Sequence, residues 1–200
     1  SKGAFQFDAI HQETSSILPE QMHFETDLPG IYQQENIATV LTTMEALATV
    51  GEVISYKHIQ EGIEHAKQHT GLHGRWECIG KDPYVFADVA HNVDGVLQVL
   101  KQLQQMQYEK LHIITGMVKD KDIDAVLAIM PKMAQYYFTQ SHIPRALPKE
   151  ELASKAAAHQ LTGTVFENVN EALSVAKNNA QTGDLIIIMG SVFLVAEVAT

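Results

Sequence analysis

The chain has 200 residues, 46% of them hydrophobic and 19% charged, with 14 basic against 24 acidic side chains and a formal net charge of -10. That apolar share supports a packed core and excludes a disordered or collagen-like chain. The acidic balance argues against a general nucleic-acid or membrane-surface binder, so any anionic ligand must be held by a few local groups. A single cysteine, Cys78, makes neither an internal disulfide nor a zinc cage, and it points to a reducing, cytoplasmic compartment.

In chain order, a poorly periodic stretch comes first. Pro29-Gly30 then marks a turn. The run Gln33 to Val50 places Ile37, Val40, Leu41, Met44, Leu47 and Ala48 on one helical face. A second helix is predicted from Tyr56 to His69, with Ser55 as its N-cap and Ile59, Ile63 and Ala66 inward. Two helices with little strand make a poor domain alone, and residues 1–70 read as the tail of a larger one.

From Gly71 the pattern alternates. Strands are predicted at Tyr84–Asp88, Lys110–Thr115, Ala134–Thr139, Thr164–Phe166 and Leu185–Met189. Helices are predicted at His91–Gln105, Ile123–Met130, Lys149–Gln160 and Val169–Asn178, the last capped by Asn168. Such alternation predicts an α/β fold, a Rossmann-like mainly parallel sheet with helices on both faces. No apolar run reaches membrane-spanning length. In such folds ligands sit beyond the carboxyl ends of strands, so the residues after each β run carry the functional weight.

Three stretches stand out. Asp88–Asn92 (DVAHN) puts an acid, a titratable ring and an amide at a helix start. Its structural alternative is a helix cap by Asp88. Gly74–Glu77 (GRWE) sets an arginine behind a glycine, where its fork suits a phosphate; the alternative is a surface pair of Arg75 with Glu77, with Trp76 a packed aromatic. Leu28–Asn36 (LPGIYQQEN) places Gln33 and Asn36 one turn apart, and an amide suits an adenine edge. His65, His69 and His73 are spaced four apart, but Gly71 and Gly74 end the helix before His73 and no metal site is expected. Cys78 is expected as a small, partly buried side chain.

Taken in this order, LPGIYQQEN, GRWE and DVAHN resemble the folylpolyglutamate synthase / dihydrofolate synthase family of the Mur ligase superfamily. Gly116–Asp122 (GMVKDKD) is similar to that family's G-x-x-x-DKD segment, and Gly190–Val198 (GSVFLVAEV) to its closing stretch. The resemblance spans most of residues 28–200. It implies an ATP-dependent ligase that joins L-glutamate to folate or dihydropteroate through an acyl phosphate, with ATP and Mg2+ required. By resemblance, Asn36 contacts adenine, Arg75 the phosphates and Asp88 the ribose. His91 stands on the phosphate and amino-acid side as a catalytic or substrate-binding group, and Ser191 lines the glutamate pocket. Lys121 is a further candidate for anion contact, against a solvated DKD turn.

Two departures are local: His73 and Val93 stand where the family often has proline. The larger one is that no G-x-x-x-x-G-K-[ST] P-loop occurs in these residues. With Ser1 in place of an initiator methionine, the chain reads as a C-terminal piece. Residues 1–70 would be the remnant of the ATP-binding central domain and 71–200 the glutamate-binding domain. The active site would then lie between domains, with a missing N-terminal P-loop domain as partner and magnesium ligands mainly there. The competing reading is a non-catalytic Rossmann-like nucleotide-binding or interaction module. Against its dinucleotide form, no G-x-G-x-x-G follows the first predicted strand of the α/β region.

Overall fold

The computed structural model describes residues 5–11 and 15–199. They fall into two compact units, Ser1–His73 and Gly74–Thr200. None of the helices among the described residues is long and apolar enough to cross a membrane.

The aperiodic opening of the first unit is a hairpin. Strand β1 (Phe5–Ile10) pairs antiparallel with β2 (Gln21–Thr26), with Phe7 opposite Phe24 and their rings 5.4 Å apart. Along β2 burial alternates, sending Met22, Phe24 and Thr26 inward. Helices α1 (Gln33–Thr49), α2 (Tyr56–Glu64) and α3 (Ala66–Thr70) follow. Ile37 and Leu41 of α1 and Ile59 and Ile63 of α2 pack with Leu18, Met22 and Phe24.

Two expectations are corrected here. Val40 and Leu47, assigned to the inward face of α1, are each 37% exposed. At 100° per residue they lie on the flank of the stripe centred on Ile37, Leu41 and Met44, and that narrow stripe is what the core of this unit receives. The single helix expected over Tyr56–His69 is broken at His65, whose backbone (φ -118, ψ 25) leaves helical geometry. Ser55 does cap α2, its Oγ accepting from His58 N–H at 3.3 Å while His58 Nδ1 lies 3.4 Å from Ser55 N. Gly71, left-handed at φ 66, ends α3.

The second unit carries the predicted α/β sheet. In chain order it contains β3 (Glu77–Lys81), β4 (Tyr84–Ala87), α4 (Val93–Leu103), β5 (Leu111–Thr115), α5 (Ile123–Ile129) and β6 (Gln135–Phe138). Then come α6 (Lys149–Ala158), β7 (Gly163–Val165), α7 (Val169–Asn179), β8 (Leu185–Met189) and α8 (Val192–Ala196). Strand order is β3-β4-β8-β5-β6-β7, parallel except for β3, which pairs antiparallel with β4 at the edge. Sequence reading passed over β3, which is short and irregular: Gly80 sits where the register shifts. Cys78 on this edge strand is exposed, not partly buried as expected.

Both faces of the sheet are covered. Ile113, Phe138 and Ile187 pack against Val96 and Val99 of α4, Val126 of α5 and Leu152 of α6. Ile114, Tyr137 and Ile186 pack against Val169, Leu173 and Ala176 of α7. Strands β5 and β8 are buried along their whole length, and β8 accordingly reads as a continuous apolar run, while β5 also buries His112 and Thr115. One polar cluster sits among them at the amino edge. His112 lies between Tyr137 Oη (3.0 Å from Nδ1) and Asp184 Oδ2 (3.2 Å from Nε2), and the Asp184 carboxylate also accepts from Lys110 N–H and Gln181 N–H.

The topology has one functional consequence. Because β8 returns to the middle of the sheet between β4 and β5, the loops after β4, β8, β5 and β6 stand side by side at the carboxyl edge.

Candidate active site at the carboxyl edge of the sheet

The loop after β4 is built around Asp88, which is 3% exposed. Its N–H continues the ladder onto the Ile188 carbonyl of β8 (2.9 Å). Its carboxylate accepts from Ala90 N–H at 2.9 Å and from Trp76 N–H at 2.8 Å. The helix cap is therefore a different residue: Asn92 Oδ1 accepts from Gly95 N–H at 2.8 Å and starts α4. Val93, where the family often has proline, is the first residue of α4. That position needs no intrahelical donor, so either residue fits it.

The GRWE loop is drawn onto the same strand end. Gly74 accepts from Val89 N–H at 2.9 Å and is left-handed at φ 72; a Cβ there would lie 2.7 Å from Val89 Cγ1. Trp76 is left-handed too, at φ 53, with its indole 3% exposed and stacked on Phe86 at 4.8 Å. A left-handed tryptophan is a strained residue, and Asp88 is what holds it. Half-buried Arg75 is thus fixed between two left-handed neighbours, with Nη1 donating to the Gly74 carbonyl at 3.4 Å. Glu77 accepts from Gly74 N–H at 2.9 Å. Trp76 is the packed aromatic of the sequence reading.

His91 is half-buried, and its Nδ1 lies 2.9 Å from the Val89 carbonyl. A carbonyl only accepts, so Nδ1 carries the proton and Nε2 is the nitrogen left for a ligand. One residue before, the Ala90 carbonyl accepts from Gly190 N–H at 2.9 Å, which ties this loop to the one after β8. Gly190 (φ 121) lies so close to the β5 loop that a Cβ would meet the Gly116 carbonyl oxygen at 2.6 Å. Ser191 follows, 3% exposed, its Oγ accepting from Phe193 N–H at 3.2 Å. The structure therefore gathers Arg75, Asp88, His91 and Ser191 on adjoining loops of the second unit. Lys121 is half-buried in the next loop, where Asp122 caps α5 through Ala125 N–H at 3.1 Å.

Asn36 belongs to the first unit. Its Nδ2 donates to Gln33 Oε1 at 2.8 Å, and both residues line a largely apolar cavity of ≈ 320 Å³ together with Leu28, Ile37, Val40 and His58. Gln33 is 4% exposed and its Nε2 has no hydrogen-bond partner. A buried amide with a free donor beside an exposed amide suits a flat heterocycle with polar edges. His65 and His69 have ring centroids 5.5 Å apart, but no group of three or more His, Cys, Asp or Glu among the described residues is placed to hold a metal ion.

The loop after β6 went unremarked in the sequence. It carries Ser141, His142 and Arg145, and His142 pairs with Glu197 through its N–H (2.6 Å) and Nδ1 (2.8 Å). The available signal was position, since these residues follow directly on a predicted strand.

A sheet of this topology with these loops at its carboxyl edge is the glutamate-ligase domain of a Mur-type ligase. The chain belongs to that family: the model of the Mur ligase, glutamate ligase domain, matches residues 74–192. Among similar proteins, a folylpolyglutamate synthase of Lacticaseibacillus casei is 30% identical over 177 residues, 87% of this chain and 39% of that one. The solved E. coli FolC in complex with DHPP and ADP superposes with a TM-score of 0.68 at 28% identity, over 82% of this chain and 37% of that one. A bifunctional folylpolyglutamate synthase/dihydrofolate synthase with Mn, AMPPNP and L-glutamate bound gives 0.63 at 29%, over 76% and 36%. The chain thus spans well under half the length of these relatives.

Proposed function

We propose that this chain is the carboxyl-terminal part of an ATP-dependent ligase that adds L-glutamate to folate or dihydropteroate. The observation that carries the reading is the convergence of the GRWE, DVAHN and Gly190-Ser191 loops on one sheet edge, each bonded to the next through backbone groups.

In the parent enzyme the chemistry is transfer of the γ-phosphoryl of ATP to a carboxylate oxygen, then attack of the glutamate amine on that carbonyl with loss of phosphate. Anionic groups crowd together in both steps, so positioning and local cations do most of the catalytic work. On the first unit, the Gln33–Asn36 amide pair receives adenine. On the second, Arg75 neutralises phosphate charge from a backbone that cannot swing away. Asp88, at the end of β4 between the GRWE and DVAHN loops, meets ribose hydroxyls. His91, with Nε2 free of its carbonyl contact, faces the phosphate and amino-acid side. Ser191 lines the glutamate pocket. The donors here fit a nucleotide and an amino acid and, among the described residues, do not group into a cation site, so Mg2+ would take its ligands from elsewhere in the parent. The single cysteine is consistent with action in the cytoplasm.

The 200 residues alone are expected to be inactive, because their sequence holds no P-loop to bind the triphosphate. ADP release with dihydropteroate or a folate plus glutamate, measured for the parent and for this chain, tests both parts. A parent without glutamate-dependent ADP release refutes the ligase reading. Robust turnover by the 200 residues refutes their inactivity.

A further inference from the structure

A helix of five residues does not hold its own direction in water, so α8 takes its place from what grips it. Ser191 caps its first turn, and Glu197 is its C-cap. We infer that Glu197, latched to His142 of the loop after β6, is a positioning residue that holds α8 and thereby sets Ser191. The inference rests on the ligase reading above, with Ser191 in the glutamate pocket, and adds to it the residue that places Ser191.

Charge alone does not account for Glu197. An acid is disfavoured at the carboxyl end of a helix, and the chain already carries a net charge of -10. Its carboxylate instead reaches the neighbouring loop with both oxygens. Oε1 accepts from the His142 backbone N–H at 2.6 Å, and Oε2 accepts from Nδ1–H of the same residue at 2.8 Å. The backbone at this end is held as well. Asn170 of α7 donates from Nδ2 to the Glu197 carbonyl at 2.9 Å, and its Oδ1 accepts from Ala199 N–H at 2.8 Å. The carboxyl end of α8 is therefore pinned from two elements. Inside the helix, Glu197 N–H donates to the Leu194 carbonyl and Val195 N–H to the Ser191 carbonyl, each at 3.2 Å, and Ser191 Oγ accepts from Phe193 N–H at 3.2 Å. Leu194 is fully buried in the core that α7 covers. So short and internally bonded a helix turns as one body, and pinning its far end fixes Ser191 at the near one. With both oxygens engaged, Glu197 acts through Ser191 and not on substrate.

The test is steady-state kinetics of the parent enzyme with Glu197→Gln, His142→Ala, Ser191→Ala and the double variant Glu197→Gln/Ser191→Ala. An amide offers one oxygen to two donors, so Glu197→Gln is expected to raise KM for glutamate about three- to tenfold and to leave KM for ATP within about twofold. His142→Ala keeps the backbone bond and should raise KM for glutamate only about two- to threefold. Ser191→Ala should raise it too, and adding Glu197→Gln should then change it by less than about twofold, since the latch has nothing left to place. A clamp that merely stabilises the fold would lower the urea midpoint and leave the ratio of the two KM values untouched. Should Glu197→Gln fail to fold, His142→Ala and Asn170→Ala, each alone and with Ser191→Ala, carry the same readout. Full additivity of the paired substitutions, an unmoved KM for glutamate in either the Glu197 or the Ser191 variant, or an equal rise for ATP overturns the inference while the ligase reading stands. A wild-type parent with no glutamate-dependent turnover overturns both.

Discussion

The carboxylate of Asp88 reaches twelve residues back along the chain to accept the N–H of Trp76 at 2.8 Å, while its other oxygen accepts Ala90 N–H at 2.9 Å. One buried acid therefore holds the loop that carries Arg75 against the strand end that carries His91. Its first duty is architectural, and any ligand contact is made by an already anchored group.

Asp88→Asn should separate these duties. An amide offers one oxygen to two backbone donors and turns its own N–H2 toward one of them. The second unit is expected to lose about 1–3 kcal/mol. Trp76 is the only tryptophan and stacks on Phe86 in this unit, so its fluorescence during urea unfolding reports the change. An unaltered midpoint would show that Asp88 does not hold the loop.

Gly74→Ala meets two obstacles, a left-handed φ of 72 and contacts at 2.7 Å to Val89 Cγ1 and 2.9 Å to Val195 Cγ1. Strain of this kind costs of order 1–3 kcal/mol. The loop should shift and the Trp76 emission should move to the red in the folded state. A variant as stable as wild type, with the same emission, would contradict the packing described.

Arg75→Ala in the parent enzyme should lower turnover about ten- to a hundredfold, corresponding to about 1.5–3 kcal/mol for a lost charge-assisted contact. The melting temperature should barely move, since the side chain's own bond is one 3.4 Å contact to Gly74. Unchanged ADP release would place the phosphates elsewhere.

At the amino edge, burial pushes the Asp184 carboxyl up, but Gln181 N–H, the His112 ring and Lys110 N–H outweigh it and hold the group below its ordinary range. A depressed folded-state pKa contributes stability above the unfolded value, about 4, and that contribution is lost as pH falls through the lower folded value. Asp184→Asn should therefore destabilise the second unit by about 1.5–3 kcal/mol at pH 7, the loss of hydrogen bonds to a charged, buried acceptor. The gap between variant and wild type should narrow as the pH drops below about 4. Urea midpoints across that range check it, and a gap independent of pH would mean the carboxylate's charge has no part.

Much of the fold was legible because its signals are local. Helix and strand periods located the α/β alternation after Gly71, and Ser55, Asn168 and Gly71 act in the caps where sequence reading placed them. The hairpin β1–β2 was not read, although Phe5, Phe7 and Ala9 and then Met22 and Phe24 alternate with polar residues; what joins the two strands is their antiparallel pairing, which is not local. Edge strand β3, with a register shift at Gly80, gave little period. Of the proposed site residues, Asn36, Arg75, Asp88, His91 and Ser191 were marked by motif and by position after strands.

What the amino-acid sequence determined by itself is the set of elements and the residues that follow each strand, because periodicity, capping and turn chemistry act over a few neighbours. Which loops adjoin was decided by tertiary structure. Only the return of β8 between β4 and β5 brings Gly190 to Ala90, only the sheet edge bends Trp76 onto Asp88, and only the packing of three loops sets Arg145 over Phe193. Those pairings join residues far apart along the chain, and their energies depend on strand order, which no local pattern encodes.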